Sequence, residues 1–239
     1  MLNRRKFQTG LVMGGIAVSA RAATPPPEFK PYIQVKTLAG DERAVRVWFT
    51  PSCTFSKEYI GFFKNLGATM PESKKMIYSP VVNKAEGYAY PLAFSAVALK
   101  YPEYIQNFVE ASLIGVQERG LSVSNWQSIN KIGDAAGLPQ KLTLVLESNI
   151  ASARVNVLNL VQAQSSLKIT NTPSVAIAGT YIVTPEFTNG DQEQFSKLVN
   201  ALVSMAQYRA QTIFSVKGNL WKRSWRSNQS GLRLESRSV

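Results

Sequence analysis

The chain has 239 residues, 45% of them apolar and 18% charged, which suits a packed globular core and is too polar for an integral membrane protein. With a net charge of +12 and no histidine, it has no histidine base and no histidine metal ligand. Cys53 is the single cysteine, which excludes an internal disulfide and a zinc site made of cysteines alone. Chemistry at one thiol, chemistry at carboxylates and binding remain as function classes.

The first 22 residues are typical of an export signal. A basic cluster at residues 4–6 precedes a short apolar run over residues 11–20, and residues 20–22 offer a small-x-small cleavage pattern. The paired arginines within residues 3–7 resemble a twin-arginine signal, and an ordinary Sec signal is the alternative. We therefore expect a periplasmic protein in which the proline-rich residues 23–30 form a linker.

Strand patterns follow the linker and return near the C-terminus. Alternating, β-branched and aromatic residues predict strands over residues 32–37, 44–50 and 76–82. Residues 174–178 and 180–184 predict a hairpin that turns at Gly179.

Helical patterns fill the chain between and after these strands. Apolar spacing predicts a helix after Cys53 that stops at Gly67, and a last amphipathic helix over residues 191–207. Residues 91–164 predict a block of four helices, the last of them over residues 138–164. We expect this block to be an inserted helical subdomain within an α/β domain formed by residues 31–90 and 165–207.

The C-terminal residues 208–239 form a basic tail. Six Lys and Arg side chains stand against Glu235 in residues 217–239, and Trp221 and Trp225 are interleaved with them. The pattern is typical of a solvated, partly disordered tail, or of a contact with a membrane surface or an acidic partner. No nucleic-acid module is recognisable, so no nucleic-acid partner is expected.

Cys53 lies where a predicted strand gives way to a predicted helix, within its first turn. A lone cysteine is most often a small buried apolar residue. A helix N-terminus, however, offers unpaired N–H groups and partial positive charge that favour the thiolate, the form that attacks disulfides. Ser56 follows three residues later, where its hydroxyl can donate to the thiolate, cap the helix, or do both. Cys53 and Ser56 are the predicted catalytic residues.

A second element is Asn171-Thr172-Pro173-Ser174, directly before the predicted hairpin. Proline cannot donate to a β ladder, so it suits the start of a strand. If the Thr172–Pro173 bond is cis, the resulting bend presents the Thr172 backbone to an extended peptide. Taken alone, a Thr-Pro pair before a strand is also typical of an ordinary turn.

Together these elements resemble the thioredoxin fold and, more narrowly, the DsbA family of periplasmic thiol:disulfide interchange proteins. Residues 47–56 (VWFTPSCTFS) match the strand and active-site loop of that family, and residues 91–138 match its inserted helical domain. Residues 172–183 (TPSVAIAGTYIV) match its cis-proline and hairpin. The resemblance covers residues 30–207 and implies an α/β thioredoxin fold with an inserted helical subdomain, and a substrate-binding edge at Thr172 and Pro173.

The active-site motif departs from the family pattern. The family has Cys-x-x-Cys, whereas this chain has Cys53-Thr54-Phe55-Ser56 and lacks the family's histidine between the two positions. One thiol cannot form the internal disulfide of a dithiol oxidase, so the protein is not expected to act alone as a conventional dithiol oxidase. Reshuffling needs only one attacking thiol, because a second thiol of the substrate can resolve the mixed disulfide. Phe55 is expected to make the rim apolar and suited to unfolded peptide.

Two functions are consistent with these patterns. The first is an exported monothiol thiol:disulfide interchange protein, isomerase-like or reductase-like, whose partners are thiol- or disulfide-containing proteins of the envelope. The second is a non-catalytic thioredoxin-fold binding protein or chaperone in an envelope assembly such as a secretion or conjugation system.

The carboxylates give little support to a third class, metal or carboxylate enzymology. No zinc-protease, calcium-loop or phosphate-loop motif is present in the sequence. We interpret the scattered acids Glu58, Glu72, Glu86, Glu103 and Asp134 as surface charges, and expect neither a metal nor a cofactor.

Overall fold

The computed structural model of the protein describes residues 30–208. The predicted export signal (residues 1–22), the linker before residue 30 and the basic tail after residue 208 lie outside the described residues. From Pro31 onward the described chain forms one compact unit. Within it, no helix is both long and apolar enough to cross a membrane.

Five strands of the described chain form one mixed sheet with the order β1-β5-β4-β2-β3. The strands are β1 (Ile33–Gln34), β2 (Ala44–Phe49), β3 (Lys75–Pro80), β4 (Ser174–Ile177) and β5 (Tyr181–Val183). Strand β2 pairs in parallel with β3 and antiparallel with β4, so Val47 lies between Tyr78 and Val175. The loop that leaves β2 therefore starts from the interior of the sheet.

Eight α-helices of the described chain lie between and after the strands. They are α1 (Thr54–Glu58), α2 (Ile60–Thr69), α3 (Ala89–Lys100), α4 (Ile105–Arg119), α5 (Trp126–Ala135), α6 (Leu142–Glu147), α7 (Ile150–Ser166) and α8 (residues 192–208). The carboxylate of Asp191 accepts from the backbone N–H of Gln194 at 2.9 Å, which caps α8 at the predicted residue.

Alternation along β2 divides the apolar core between the two faces of the sheet. Val45 and Val47 on one face are fully buried against a cluster that includes Phe63 of α2 and Phe195 of α8. Trp48 on the opposite face packs in a cluster that includes Leu167, just after α7. Both faces of the sheet are thus covered around β2, and this burial fixes the register of that strand.

The inserted helices have a core of their own that reaches the sheet. Phe49, the last residue of β2, belongs to the same buried cluster as Phe94 of α3 and Phe108 of α4. Helix α7 serves both parts, since Ala153 lies in the helical core while Ala163 packs against the sheet. The expected boundary at residue 164 therefore falls inside α7, and the division into two subdomains stays a prediction.

Several predicted boundaries differ from the structure, and the single helix expected after Cys53 is two helices, α1 and α2, that meet at Tyr59. The strand expected over residues 32–37 is reduced to β1, although the N–H of Val35 still donates to the carbonyl of Thr180 at 2.9 Å. Helix α2 continues past Gly67 to Thr69. Gly67 lies close to β3, where a Cβ atom would meet the sulfur of Met76 at 3.0 Å.

The helix expected over residues 138–164 is two helices, α6 and α7. They separate at Ser148 and Asn149, whose side chains both donate to the carbonyl of Val145. Such local side-chain bonds compete with the helical backbone ladder, and apolar spacing does not reveal them.

Candidate active site

Cys53 lies immediately after β2, at the start of α1. The chain turns through residues 50–52, with the N–H of Cys53 donating to the carbonyl of Thr50 at 3.1 Å. Cys53 is the extended N-cap residue of α1 and so precedes the first turn in which it was expected. Because the interior strand β2 is buried and α1 begins at once, both neighbours of the cysteine are fixed, while Cys53 itself is only half-buried.

The Thr172–Pro173 segment meets Cys53 across the site. The Thr172–Pro173 peptide bond is cis. The Cys53 sulfur donates a hydrogen bond to the carbonyl oxygen of Thr172 at 3.1 Å. This contact belongs to the protonated thiol, because a thiolate has no proton to donate. Two predicted site elements that are far apart in the sequence are thus neighbours in the fold.

Ser56 is 1% exposed and lies on the buried side of α1. Its hydroxyl oxygen has no hydrogen-bond partner among the described residues, so the expected bond to Cys53 is not formed in this geometry. An unpaired buried hydroxyl costs about 1–3 kcal/mol, and it keeps a donor available near the start of the helix. The catalytic role of Ser56 stays a prediction.

A groove of about 440 Å³ opens beside the thiol. Phe55, Thr172 and Pro173 all line it, and Phe55 is 54% exposed, so it presents apolar surface to the groove. The remaining lining residues come from the segments on either side of β4 and β5: Asn171, Thr184, Pro185, Glu186, Asn189 and Gly190. The structure therefore brings the predicted substrate-binding residues into one surface.

Gln117 of α4 holds the Cys53 loop from the side of the inserted helices, and sequence reasoning missed it. Its side-chain amide donates to the carbonyl of Pro51 at 2.9 Å and to the carbonyl of Cys53 at 3.0 Å. The two bonds satisfy backbone acceptors on both sides of Ser52. No local pattern marks this glutamine, because its partners lie more than sixty residues earlier in the chain.

Glu86, interpreted above as a surface charge, is a second anchor of the loop. Its carboxylate accepts from the Ser52 hydroxyl at 2.7 Å and from the Thr50 hydroxyl at 3.2 Å. Hydrogen bonds to an ionised acceptor are stronger than neutral ones, so this carboxylate holds the segment before Cys53 in place.

Two titratable residues at the end of α1, Lys57 and Tyr59, interact with other parts of the chain. Lys57 of α1 forms an ion pair with Glu118 of α4 at 2.7 Å, and the hydrogen bond from Lys57 lowers the pKa of Glu118. Tyr59, behind the groove, donates from its hydroxyl to the carbonyl of Gly190 at 2.9 Å. Burial raises the pKa of Tyr59, and the negative charges of Glu58 and Asp191 raise it further.

Comparison with known proteins gives structural matches without sequence matches. No protein-family profile matches the chain, and no curated protein is significantly similar to it. Among solved structures, DsbA from Pseudomonas aeruginosa matches with a TM-score of 0.66 and 12% identity, over 76% of this chain and 95% of that chain. The oxidoreductase DsbA from Xylella fastidiosa matches with a TM-score of 0.62 and 16% identity, over 74% of this chain and 95% of that one.

A third match is a variant of DsbA from Proteus mirabilis that holds a non-covalently bound peptide. It aligns with a TM-score of 0.61 and 17% identity, over 77% of this chain and all of that one. At such identities the likeness shows the fold alone. The chain has the fold of the DsbA proteins. The expected α/β thioredoxin fold with an inserted helical region is therefore confirmed.

Proposed function

We propose that the protein is an exported monothiol thiol:disulfide interchange protein that acts through Cys53 on thiols or disulfides of periplasmic envelope proteins. The observation that carries this proposal is the position of the sulfur. It is half-buried, lies 3.1 Å from the Thr172 carbonyl and stands beside a groove of about 440 Å³. A single accessible sulfur next to a peptide-sized groove is the minimum that disulfide exchange needs.

The exchange conserves electrons. The Cys53 thiol loses its proton to solvent, and the thiolate attacks one sulfur of a client disulfide. The Cys53–client bond forms, the client S–S bond breaks, and the second client sulfur leaves as a thiolate. A different thiolate of the same client then attacks its own sulfur in the mixed disulfide, forms a new client disulfide and releases Cys53 as a thiolate. No external oxidant or reductant enters, so the client is isomerised.

Thr172 supplies the link between chemistry and binding. Loss of the thiol proton removes the hydrogen bond to the Thr172 carbonyl, which frees that oxygen to accept from a backbone N–H of an extended client. Backbone pairing at an exposed edge is a general way to hold an extended peptide, and apolar side chains such as exposed Phe55 add contact area. The predicted roles of Phe55, Thr172 and Pro173 are compatible with this geometry.

The direct test is a trapped mixed disulfide. Folded protein is incubated at neutral pH with a peptide that contains one internal disulfide, quenched with acid and analysed by mass spectrometry. We expect an adduct on Cys53 in the wild-type protein and complete loss of the adduct in Cys53→Ala. The matched control is Ser204→Ala, at an exposed position on α8, which keeps the sulfur and the loop around it. An adduct that forms only after denaturation of the protein would contradict the proposal.

A non-catalytic binding protein or chaperone is the second candidate function. The observation that favours it is that Cys53 is absent from the residues lining the groove, so a peptide can occupy the groove without touching the sulfur. In that case Cys53→Ala binds a cysteine-free unfolded peptide as tightly as the wild-type protein does, and no adduct is trapped. The predicted membrane or acidic partner of the basic tail lies outside the described residues and stays a prediction.

A further inference from the structure

The groove carries the carboxylate of Glu186, a charge that disulfide exchange alone does not require. Among the residues that line it, Glu186 is the one with an ionisable side chain, and it is exposed. One oxygen of its carboxylate accepts from the side-chain amide of Asn171 at 2.8 Å. Asn171 lies directly before Thr172, so this bond orients the Glu186 carboxylate beside the substrate-binding edge without neutralising its charge.

The sequence segment that contains Glu186 is acidic, although the chain as a whole is basic. Residues 171–196 contain three carboxylates, Glu186, Asp191 and Glu193, and no Lys or Arg, whereas the whole chain has a net charge of +12. Glu193 forms an ion pair with Lys197 at 2.6 Å, whereas Glu186 lines the groove and Asp191 directly follows the lining residue Gly190.

Tyr59 is buried behind the groove. Its hydroxyl donates to Gly190, one of the lining residues. The charges of Glu58 and Asp191 add to burial in raising its pKa. The one lysine of α1, Lys57, is paired with Glu118.

We infer that the groove selects extended client segments that carry Lys or Arg beside their cysteine, and that Glu186 determines this specificity. The inference rests on the proposed function, because it assumes that the groove holds the client during exchange. Exposed ion pairs are modest, and one such pair corresponds to about a two- to fivefold difference in affinity at low salt. The selection is therefore a preference among clients and does not exclude neutral ones.

The test uses three fluorescent seven-residue peptides that share one central cysteine and differ only in its two neighbours, which are Arg, Gln or Glu. Binding is measured by fluorescence anisotropy at low salt on Cys53→Ser, so that no covalent bond contributes. We expect Kd to rise in the order Arg, Gln, Glu, with about a two- to fivefold step between Arg and Gln.

Two further variants locate the preference. Glu186→Gln, made in the Cys53→Ser background, keeps an acceptor for Asn171 and removes the charge, so the Kd values of the three peptides are expected to converge. Glu147→Gln changes the net charge equally at an exposed position on α6, outside the groove lining, and is expected to keep the preference. High salt is expected to weaken the preference in the parent protein as well.

The outcomes separate this inference from the proposed function. Equal Kd values for the three peptides, no binding of any of them, or a preference that survives Glu186→Gln would each overturn the charge selection. Exchange is tested in parallel by trapping an adduct between Cys53 of the wild-type protein and the disulfide form of the Gln-flanked peptide. Loss of that adduct overturns the proposed function, whatever the charge preference is.

Discussion

The two sides of Cys53 are built differently. On one side, which we call the anchored side, Gln117 and Glu86 hold the backbone carbonyls of Pro51 and Cys53 and the hydroxyl groups of the turn before the cysteine. On the other, the open side, the sulfur faces the Thr172 carbonyl and a groove with an exposed Phe55.

The difference assigns separate tasks to the two sides. Bonds on the anchored side go to the backbone and to turn hydroxyls, so they fix where the sulfur is without occupying it. The open side offers backbone, apolar surface and one charge, which are means of holding a peptide. A functional site needs supporting residues that do not react themselves but hold the reacting atom in place.

The largest expected effect comes from a second sulfur on the buried side of α1. Residues three apart at the start of a helix lie within the Cα separation that a disulfide spans, and Ser56 is 1% exposed. We expect Ser56→Cys to form an internal disulfide with Cys53 under mild oxidation. Thiol titration should then find no free thiol, and the protein should oxidise a reduced peptide once per disulfide.

Thr54→Cys is the matched control for this experiment. It adds an exposed sulfur directly next to Cys53, where ring closure between neighbouring residues is strained. The control is expected to keep two titratable thiols under the same oxidant. If Ser56→Cys also keeps two, the Ser56 site is not positioned to close on Cys53.

A smaller effect is expected from breaking the anchored side. Gln117→Met removes both bonds to the loop and keeps the length of the side chain. Two hydrogen bonds correspond to about 1–3 kcal/mol of unfolding free energy, and a displaced sulfur to about a tenfold slower formation of the mixed disulfide. Rates are compared well below the unfolding temperature, and stability is measured by urea titration.

Gln106→Met separates positioning from stability. Gln106 lies on the same helix, and its amide donates to Glu110 at 3.1 Å, away from the Cys53 loop. This control is expected to lose some stability and keep the rate of the wild-type protein. Equal rates in both variants would show that Gln117 only stabilises the fold.

The sheet and the open side could be predicted from the sequence because their signals are local. The residue types and alternation along residues 44–50 predict a strand there, and the hairpin is predicted by two short strands around Gly179. The segments around Cys53 and Thr172 are each marked by a single residue type whose chemistry is distinctive. Only their distance, 3.1 Å between the sulfur and the carbonyl oxygen, needed the structure.

The anchored side could not be predicted, because its residues act across the fold. Gln117 and Glu86 are ordinary polar residues in a helix and a turn, and nothing near them in the sequence distinguishes them from solvated neighbours. The same limit applies to Gly67, whose role depends on the sulfur of Met76 on a neighbouring strand. Side-chain contacts between distant segments decide such positions, and periodicity does not report them.

The smallest effect is expected from removing single tyrosine hydroxyls at the interface between the sheet and the inserted helices. These variants test whether polar groups stabilise that interface. Tyr78 of β3 packs edge-on against Phe49 at 6.3 Å, and its buried hydroxyl has no partner among the described residues. Tyr78→Phe removes an unsatisfied group, so we expect the unfolding free energy at neutral pH to stay constant or to rise by up to about 1 kcal/mol. Tyr90→Phe, in contrast, removes a 2.8 Å bond to Ser112 and should cost about 1 kcal/mol.

Measuring the stability of Tyr78→Phe and of the wild-type protein as a function of pH sharpens this test. Burial raises the pKa of Tyr78, and the charge of Glu110 raises it further. A raised pKa in the folded state gives stability that is complete below the unfolded value of about 10 and is lost as the pH rises through the folded value. Tyr78→Phe should therefore lose less stability between about pH 9 and pH 11 than the wild-type protein does. Urea midpoints at several pH values measure this, and an identical decline in both proteins would mean that the Tyr78 hydroxyl is hydrated in solution.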